Sequence, residues 1–159
     1  MTTKLSRIDL QILNEIQKNA RITNIELADI IGLSPSPCLR RVKQLEQLGY
    51  IDEYVTRLNQ KKLQLKLTAI IQISMDKHTS ERFDNFEQTI KQYGEVLECY
   101  MITGQQADYL LKVIIPDMEY YQEFLLGRLT RIEGVVGVQS SFIMRKVVDR
   151  TILPLEHLS

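Results

Sequence analysis

Apolar residues in the first third of the chain recur every three or four positions, which is the spacing of amphipathic helices. The pattern predicts a first helix over residues 7–19, where Ser6 and Asp9 have the spacing of a capping box. A second helix is predicted from about residue 23 to Gly32, because glycine accepts the left-handed conformation that often follows a helix. Two helices this short and this close in sequence indicate a small helical domain.

A third helix is predicted to begin after Ser34 and to end at Gly49. Pro35 then falls at the first helical position, where its missing N–H costs nothing. The apolar positions of this helix are Cys38, Val42, Leu45 and Leu48. The tight turn between the second and third helices makes residues 24–43 a predicted helix-turn-helix. Residues 50–58 are predicted as a short extended segment, the wing of a winged helix-turn-helix domain.

The second half of the chain changes from helical spacing to alternation. Every odd position from 65 to 75 is apolar, which predicts a strand with one buried face. The polar stretch before it, residues 59–64, is the predicted linker between a domain over 1–58 and a domain over 65–159. The later elements are predicted as a helix over 79–94, strands over 96–102 and 109–115, a helix over 117–134, and a strand over 136–144.

This order of strands and helices is βαββαβ, which predicts a ferredoxin-like domain. Its four antiparallel strands carry both helices on one face, so the whole chain is predicted to belong to the α+β class. The later residues predicted to face the core are Phe83, Phe86, Ile90, Tyr93, Met118, Tyr121, Leu125, Leu129, Ile132, Val136, Val138, Phe142 and Met144. The other sheet face and the sheet edges stay uncovered in one chain, which predicts self-association.

Composition narrows the class of protein without identifying its function. The 159 residues are 44% hydrophobic and 25% charged, as in a soluble globular protein, and no apolar run reaches the length of a membrane span. The first residues lack the apolar core of a secretory signal, and Cys38 and Cys99 have no paired spacing. A cytoplasmic protein with reduced thiols is expected. Residues 1–62 carry ten basic against seven acidic side chains, an excess too small to indicate DNA binding by itself.

The third predicted helix has two opposed faces, one apolar and one carrying Arg, Lys, Gln and Ser. A DNA major groove admits one helix, and such side chains can bond to base edges and phosphates. Free N–H groups at the start of the helix are expected to attract phosphate as well. The candidate DNA-binding residues are Thr23, Asn24, Ser34, Ser36, Pro37, Arg40, Arg41, Lys43 and Gln44. The alternative is an ordinary three-helix bundle with a solvated charged face.

A family resemblance bears on this choice. Residues 33–46 (LSPSPCLRRVKQLE) resemble the recognition-helix signature of the Lrp/AsnC family, the leucine-responsive or feast/famine regulators. Asp9, Ile12 and Leu13, and the segment 21–28, also fit the family pattern, and the resemblance extends over the βαββαβ half. It implies a sequence-specific transcription regulator that binds double-stranded DNA. It further implies a homodimer that assembles to a tetramer or octamer, with an amino-acid effector bound in the C-terminal half.

The loop at residues 103–109 offers chemistry suited to a free amino acid. Gly104 allows close approach to the backbone, and Asp108 could pair with a ligand ammonium group. The alternative is a hairpin loop whose aspartate serves the turn. The loop resembles the family's Ser/Thr-Gly-x-x-Asp-Tyr element, which borders an effector pocket at a subunit interface. This chain departs from it, with three residues instead of two between Gly104 and Asp108, and with Gln105 where an acidic residue is common.

The candidate effector-binding residues comprise this loop, the preceding strand and part of the last strand. They are Tyr100, Met101, Thr103, Gly104, Asp108, Ser140 and Ser141. The hydroxyls of the last strand could add hydrogen bonds to a ligand, or could be small polar residues of an ordinary strand.

An enzyme is not expected. His78 and His157 have no partner at metal-ligand spacing, and there is no glycine-rich phosphate loop. Neither a metal nor a cofactor is expected apart from an amino-acid effector. Two other functions remain open at this point. The chain could be an amino-acid-binding module that regulates a protein partner, or an architectural DNA binder without sequence preference.

Overall fold

The structure is a computed structural model that describes residues 5–104 and 106–158. The chain forms two compact units, one made of the residues up to Arg57 together with those from Val148 onward, the other of Leu58–Val147. The residues from Val148 onward, which we predicted to belong to a second domain over 65–159, thus group with the first unit, and the chain passes between the units twice. No helix in the described part is long and apolar enough to cross a membrane.

The first unit contains three helices, α1 (Arg7–Lys18), α2 (Asn24–Ile31) and α3 (Pro35–Gln47). Both α1 and α2 begin with a complete capping box, formed by Ser6 with Asp9 and by Thr23 with Glu26. Each box satisfies N–H groups that the first helical turn leaves without partners. The core of the unit consists of Ile12, Ile16, Leu27, Ala28, Cys38 and Leu45. The predicted helix-turn-helix is confirmed.

The turn between α2 and α3 depends on a left-handed glycine. Gly32 has φ +75°, and the N–H of Leu33 then donates to the carbonyl of Ala28 at 2.9 Å. Ser34 occupies the position before α3 with extended dihedral angles, but its side chain makes no capping hydrogen bond. The Ser34 hydroxyl is therefore not committed to the helix it precedes.

The rest of the first unit is irregular. Residues 50–58, predicted as an extended segment, form neither a helix nor a strand, and a hydrogen bond of 2.9 Å joins the Tyr54 hydroxyl to Glu46 of α3. The C-terminal segment packs on α1 through Gln17, whose amide bonds both the carbonyl and the N–H of Leu153 at 3.0 and 2.9 Å. These paired bonds hold a distant part of the chain against α1.

The second unit has the predicted βαββαβ order. Its elements are β1 (Leu67–Met75), α4 (Ser80–Ile90), β2 (Val96–Met101), β3 (Tyr109–Ile115), α5 (Met118–Gly127) and β4 (Val135–Phe142). The strands form one antiparallel sheet in the order β2-β3-β1-β4, so the ferredoxin-like prediction is confirmed and β2 and β4 are the edges.

One face of this sheet is buried by the helices. The odd residues of β1 and β3, such as Ile71 and Leu111, pack with Phe86 of α4 and Phe124 of α5 in a single core. We call this the helix-covered face. The opposite face, called the open face, carries the even residues of β1 and β3, including Ile70 and Leu110, which are only partly buried in one chain.

The second long helix was predicted too long. The α5 helix ends at Gly127, and Arg128 departs from helical dihedral angles with φ −129° before a short 3-10 turn at Leu129–Arg131. Met118 was predicted to face the core but is 45% exposed, while Phe124 is buried. The helical spacing counted from Met118 therefore predicts the wrong side chains toward the core at the start of the helix.

The phase of the last strand was also predicted wrongly at its ends. The pairing of β1 with β4 shifts between Ser74 and Met75, so that Val136 is the extra residue of a bulge. Val136 is 68% exposed, and Met144 lies beyond the strand and is fully exposed. A strict alternation over 136–144 could not anticipate this shift.

Candidate DNA interface and effector site

The solvent-exposed face of α3 forms an open concavity of about 570 Å³. It is lined by Ser36, Leu39, Arg40, Lys43, Gln44 and Gln47. Four of these residues were predicted to contact DNA. Leu39 and Gln47 were not, although Gln47 continues the three-and-four spacing that starts at Ser36 and would have been found by following it.

The charge of this face is positive and uncompensated. Among the residues that the structure describes, neither Arg40 nor Lys43 forms an ion pair. The first acidic residue of α3 is Glu46, which accepts a hydrogen bond from the Tyr54 hydroxyl. Burial, together with this bond to Glu46, raises the pKa of Tyr54 to about 12. The concavity therefore offers two free cations to an anionic partner.

Arg41 does not line this concavity, so its predicted contact with DNA stays a prediction. Its Nη1 lies 2.9 Å from Oδ1 of Asp9 and 3.4 Å from the Ser6 hydroxyl, so it joins α3 to the start of α1. Burial acts to raise the pKa of Asp9, but the hydrogen bonds from Ser6 and the ion pair with Arg41 lower it below its ordinary value. Arg41 is thus a structural partner of α1.

The other predicted DNA-binding residues lie at the start of α2 and α3. The Thr23 hydroxyl is committed to its capping box, and the Asn24 amide donates to the carbonyl of Pro35 at 2.8 Å. Asn24 therefore ties α2 to the first turn of α3. Ser34 is exposed, and Pro37 is half-buried. These residues position α3, and among them Ser34 offers an exposed hydroxyl.

The start of α3 is a weaker phosphate site than we predicted. Pro35 and Pro37 have no N–H, and the N–H of Cys38 donates to the carbonyl of Ser34 at 3.2 Å. Only Ser36 keeps a free backbone donor in that turn. Phosphate binding here must rely on side chains more than on the helix terminus.

In the second unit, Asp108 is fixed by its own chain at four atoms. Its N–H donates to the carbonyl of Ile73 at 2.8 Å, and its carbonyl accepts from the N–H of Ile102 at 2.9 Å. Its carboxylate accepts from the N–H of Met75 at 2.7 Å and contacts Nε2 of His78 at 2.8 Å. Asp108 therefore has a structural role, since its carbonyl closes the loop at Ile102 and its carboxylate bonds the end of β1 at Met75.

The remaining loop and β2 candidates are exposed. Tyr100 pairs with Leu110 on the open face, and its hydroxyl donates to Glu98 at 2.9 Å. Met101 is 53% exposed. Thr103 and Gly104 are exposed, and Gly104 has φ +84°, which favours glycine. Gln105 lies outside the described residues.

Ser140 and Ser141 point to opposite faces of β4. The Ser140 hydroxyl bonds the Tyr121 hydroxyl beneath the helices, whereas Ser141 pairs with Ile70 on the open face. Tyr100 and Ser141 share the open face but lie on opposite edge strands, three strand spacings or about 14 Å apart. One chain therefore does not bring the seven candidates into a single pocket.

Metal binding finds no support in the described part of the chain. It contains no group of three His, Cys, Asp or Glu side chains that could hold a metal ion.

The contact of His78 with Asp108 was not predicted from the sequence, because thirty residues separate them and no motif joins them.

Two family models together match most of the chain. The model of the Lrp/AsnC ligand binding domain matches residues 68–153, and a winged helix-turn-helix DNA-binding model matches residues 5–52. The leucine-responsive regulatory protein of Escherichia coli is 39% identical over 143 residues, covering 90% of this chain and 87% of the relative. The Bkd operon transcriptional regulator of Pseudomonas aeruginosa is 38% identical over 152 residues, covering 96% and 99%.

The fold is also shared with a solved transcriptional regulator. The crystal structure of a transcriptional regulator from Neisseria meningitidis in complex with L-Met has a TM-score of 0.93 and 39% identity. The similarity covers 98% of this chain and 99% of that one.

Proposed function

This chain belongs to the Lrp/AsnC family of transcription regulators, and we propose that it contacts DNA through the exposed face of α3 and adjusts that contact to an amino acid. It is a DNA-binding regulator and not an enzyme. The observation that carries our choice of DNA-contacting residues is the uncompensated positive face of α3, which stands opposite the buried Cys38 and Leu45.

Each side chain of this face suits one kind of DNA contact. Arg40 can donate two bonds to one guanine, and Gln44 can pair with the edge of an adenine. Lys43 carries a point charge suited to phosphate, and Ser36 and Ser34 can bond phosphate or a base edge near the start of the helix. Asn24 and Arg41 hold α3 in place, so they serve DNA binding through position.

The test is selection of bound DNA from a random pool by the purified full chain, followed by footprinting. A shared motif with half-sites about one DNA turn apart is expected for a symmetric regulator. Binding without any enriched motif would indicate an architectural DNA binder. An absence of salt-dependent DNA binding would contradict the assignment and favour a regulatory module that acts on a protein partner.

The amino-acid effector is proposed to bind near the loop at 103–108. Asp108 is the one acidic residue between Glu98 and Asp117, so it is the candidate partner of an α-ammonium group. The backbone around Gly104 is exposed and could hold the carboxylate. The ligand-binding family model over 68–153, and the regulator from Neisseria meningitidis solved with L-Met, support an amino acid as the effector class.

A second copy of the chain is proposed to complete this site. The candidate residues are divided between both edges and both faces of one sheet, so a pocket that uses them needs another sheet. Apolar side chains on these edges are exposed, among them Leu97 (56%), Tyr100 (52%) and Phe142 (37%). Burying them between copies accounts for a homodimer, and repeated contacts account for a tetramer or octamer.

Light scattering with and without L-methionine tests both the assembly of copies and its response to the amino acid. We expect an even-numbered assembly whose size or DNA affinity changes with the amino acid. A chain that stays monomeric at micromolar concentration, with and without L-methionine, and still binds DNA would contradict the shared site. Because the relatives that it resembles are bacterial transcription regulators, whose DNA lies in the cytoplasm, we propose that the protein acts there.

A further inference from the structure

The carboxylate of Asp108 is already bonded at both oxygens before any ligand arrives. Oδ2 accepts the N–H of Met75, which lies at the register shift between β1 and β4. Oδ1 lies 2.8 Å from Nε2 of His78. The two contacts differ in kind, because one satisfies a backbone donor at a strand end and the other joins two side chains.

The bond to Met75 is not easily given up. Met75 is 6% exposed, and a buried N–H left without an acceptor costs about 1–3 kcal/mol. Oδ2 is therefore held in place by the fold. Only Oδ1 can change its partner at low cost, since the partner it would lose is an exposed side chain.

His78 is such a partner. Its side chain is 69% exposed, it lies in the segment between β1 and α4, and its ring is 5.9 Å from that of Phe83. An imidazole with a proton on Nε2 donates to a carboxylate in its neutral form as well as in its charged form. When His78 leaves Asp108, its nitrogen can bond water instead, so nothing buried is left unsatisfied.

We propose that His78 is an internal competitor of the effector, occupying the Asp108 oxygen to which an amino-acid ammonium group would bind. This inference rests on the proposed effector site. A carboxylate is the strongest acceptor for an α-ammonium group, and Asp108 is the one acidic residue between Glu98 and Asp117. An ammonium group that binds Oδ1 then displaces His78 or shares the oxygen with it, and the loss or weakening of the His78 contact reduces the affinity for the effector.

The expected size of the effect follows from the exposure of the pair. Partly exposed ion pairs and hydrogen bonds contribute little, so removing the competitor should tighten effector binding by about two- to fivefold. His78 thereby sets the amino-acid concentration at which the regulator responds, without touching the side chain of the effector.

Calorimetry of the full chain tests this, with L-methionine and L-leucine as probes and with His78→Ala compared with wild type. His157→Ala is the matched control, since His157 lies in the other unit. A third probe is the deamino analogue of L-methionine, which keeps the carboxylate and the side chain but has hydrogen in place of the amino group and so no donor at Cα. Melting curves check that each variant is folded, which the exposure of His78 leads us to expect.

We expect His78→Ala to lower the Kd for the amino acid about two- to fivefold, with no such gain for the deamino analogue and no change in His157→Ala. An unchanged or raised Kd in His78→Ala, with normal wild-type binding, would overturn the role of His78 and leave the effector site intact. An equal gain for the deamino analogue would also overturn it, by showing that the substitution only opens the loop. If neither wild type nor His78→Ala bound any probe, the proposed effector site would fail along with it.

Discussion

Two adjacent arginines of α3 should behave differently when each is replaced by alanine. Arg40 projects into the exposed concavity and has no ion-pair partner among the described residues, whereas Arg41 is bonded to Asp9. We expect Arg40→Ala to weaken specific DNA binding by about 1–3 kcal/mol, roughly five- to 150-fold in Kd, with an unchanged unfolding midpoint. Arg41→Ala should mainly lower the stability of the first unit.

The loss of stability can be estimated from the exposure of the pair. The Arg41 side chain is 36% exposed and that of Asp9 17%, so solvent screens much of the attraction. A contribution of about 0.5–1 kcal/mol is reasonable for such a pair. In a unit of 60 to 100 residues each kcal/mol moves the unfolding midpoint by about 4–8 °C, so a decrease of about 2–8 °C is expected.

The difference in unfolding midpoint between wild type and Arg41→Ala should disappear in acid. The pKa of Asp9 is lowered in the folded state from its ordinary value of 3.8. A lowered folded-state pKa stabilises the protein fully above 3.8, and that stabilisation is lost as the pH falls through the lower native value. The wild-type advantage should therefore hold at neutral pH and shrink below about pH 4.

The assays are calorimetric unfolding of the full chain between pH 3 and 7, and fluorescence anisotropy with a selected DNA duplex. Lys18→Ala is a suitable control, because Lys18 forms only an exposed pair with Glu15 one turn away. The assignment of Arg41 would be refuted if Arg41→Ala lost as much DNA affinity as Arg40→Ala while its unfolding midpoint stayed at the wild-type value.

Three further predictions concern the helix surface, the C-terminal segment and the turn before β4. Lys43→Ala should weaken binding to all DNA sequences alike and reduce the slope of log K against log salt by about one, measured by anisotropy titrations at several salt concentrations. Gln17→Ala removes both bonds to Leu153 and should raise hydrogen exchange of the amides around Leu153, with no increase in Lys18→Ala. Gly134→Ala should destabilise the second unit by at least about 1 kcal/mol in urea unfolding, because φ is +93° there and a Cβ would lie 3.1 Å from Asp76 Oδ1.

Features that depend on neighbours in sequence were predicted well. The capping box at Ser6, the left-handed Gly32 and the alternation along β1 all follow from interactions within a few residues. The order of strands and helices then left the ferredoxin-like arrangement as the natural way to bury the odd positions of β1. Local chemistry thus determined most of the fold.

Features that depend on contacts between residues far apart in the sequence were not predicted. The helical spacing places Arg41 beside Arg40 at one edge of the charged face, and nothing in the sequence says that Asp9 lies within reach. The bulge at Val136 also depends on a tertiary contact, since it arises where β4 pairs with β1. In both cases a partner more than thirty residues away in the sequence decides where the side chain lies.

Asp108 can be identified from its neighbours in the sequence, but its carboxylate is held by tertiary contacts. This explains why the effector site is harder to predict than the DNA interface. A DNA-contacting face can be identified on one helix, because its residues need only share a side and lack partners within the chain. A small-ligand site needs acceptors from several strands, and in this fold the best acceptor also closes the end of β1 through Met75. An Asp108→Asn exchange removes the charge and leaves one acceptor oxygen for the two contacts with Met75 and His78, so loss of effector response in that variant would not identify the ligand contact. Removing the competitor at His78 leaves the bond to Met75 in place, so it separates the ligand contact from the structural one.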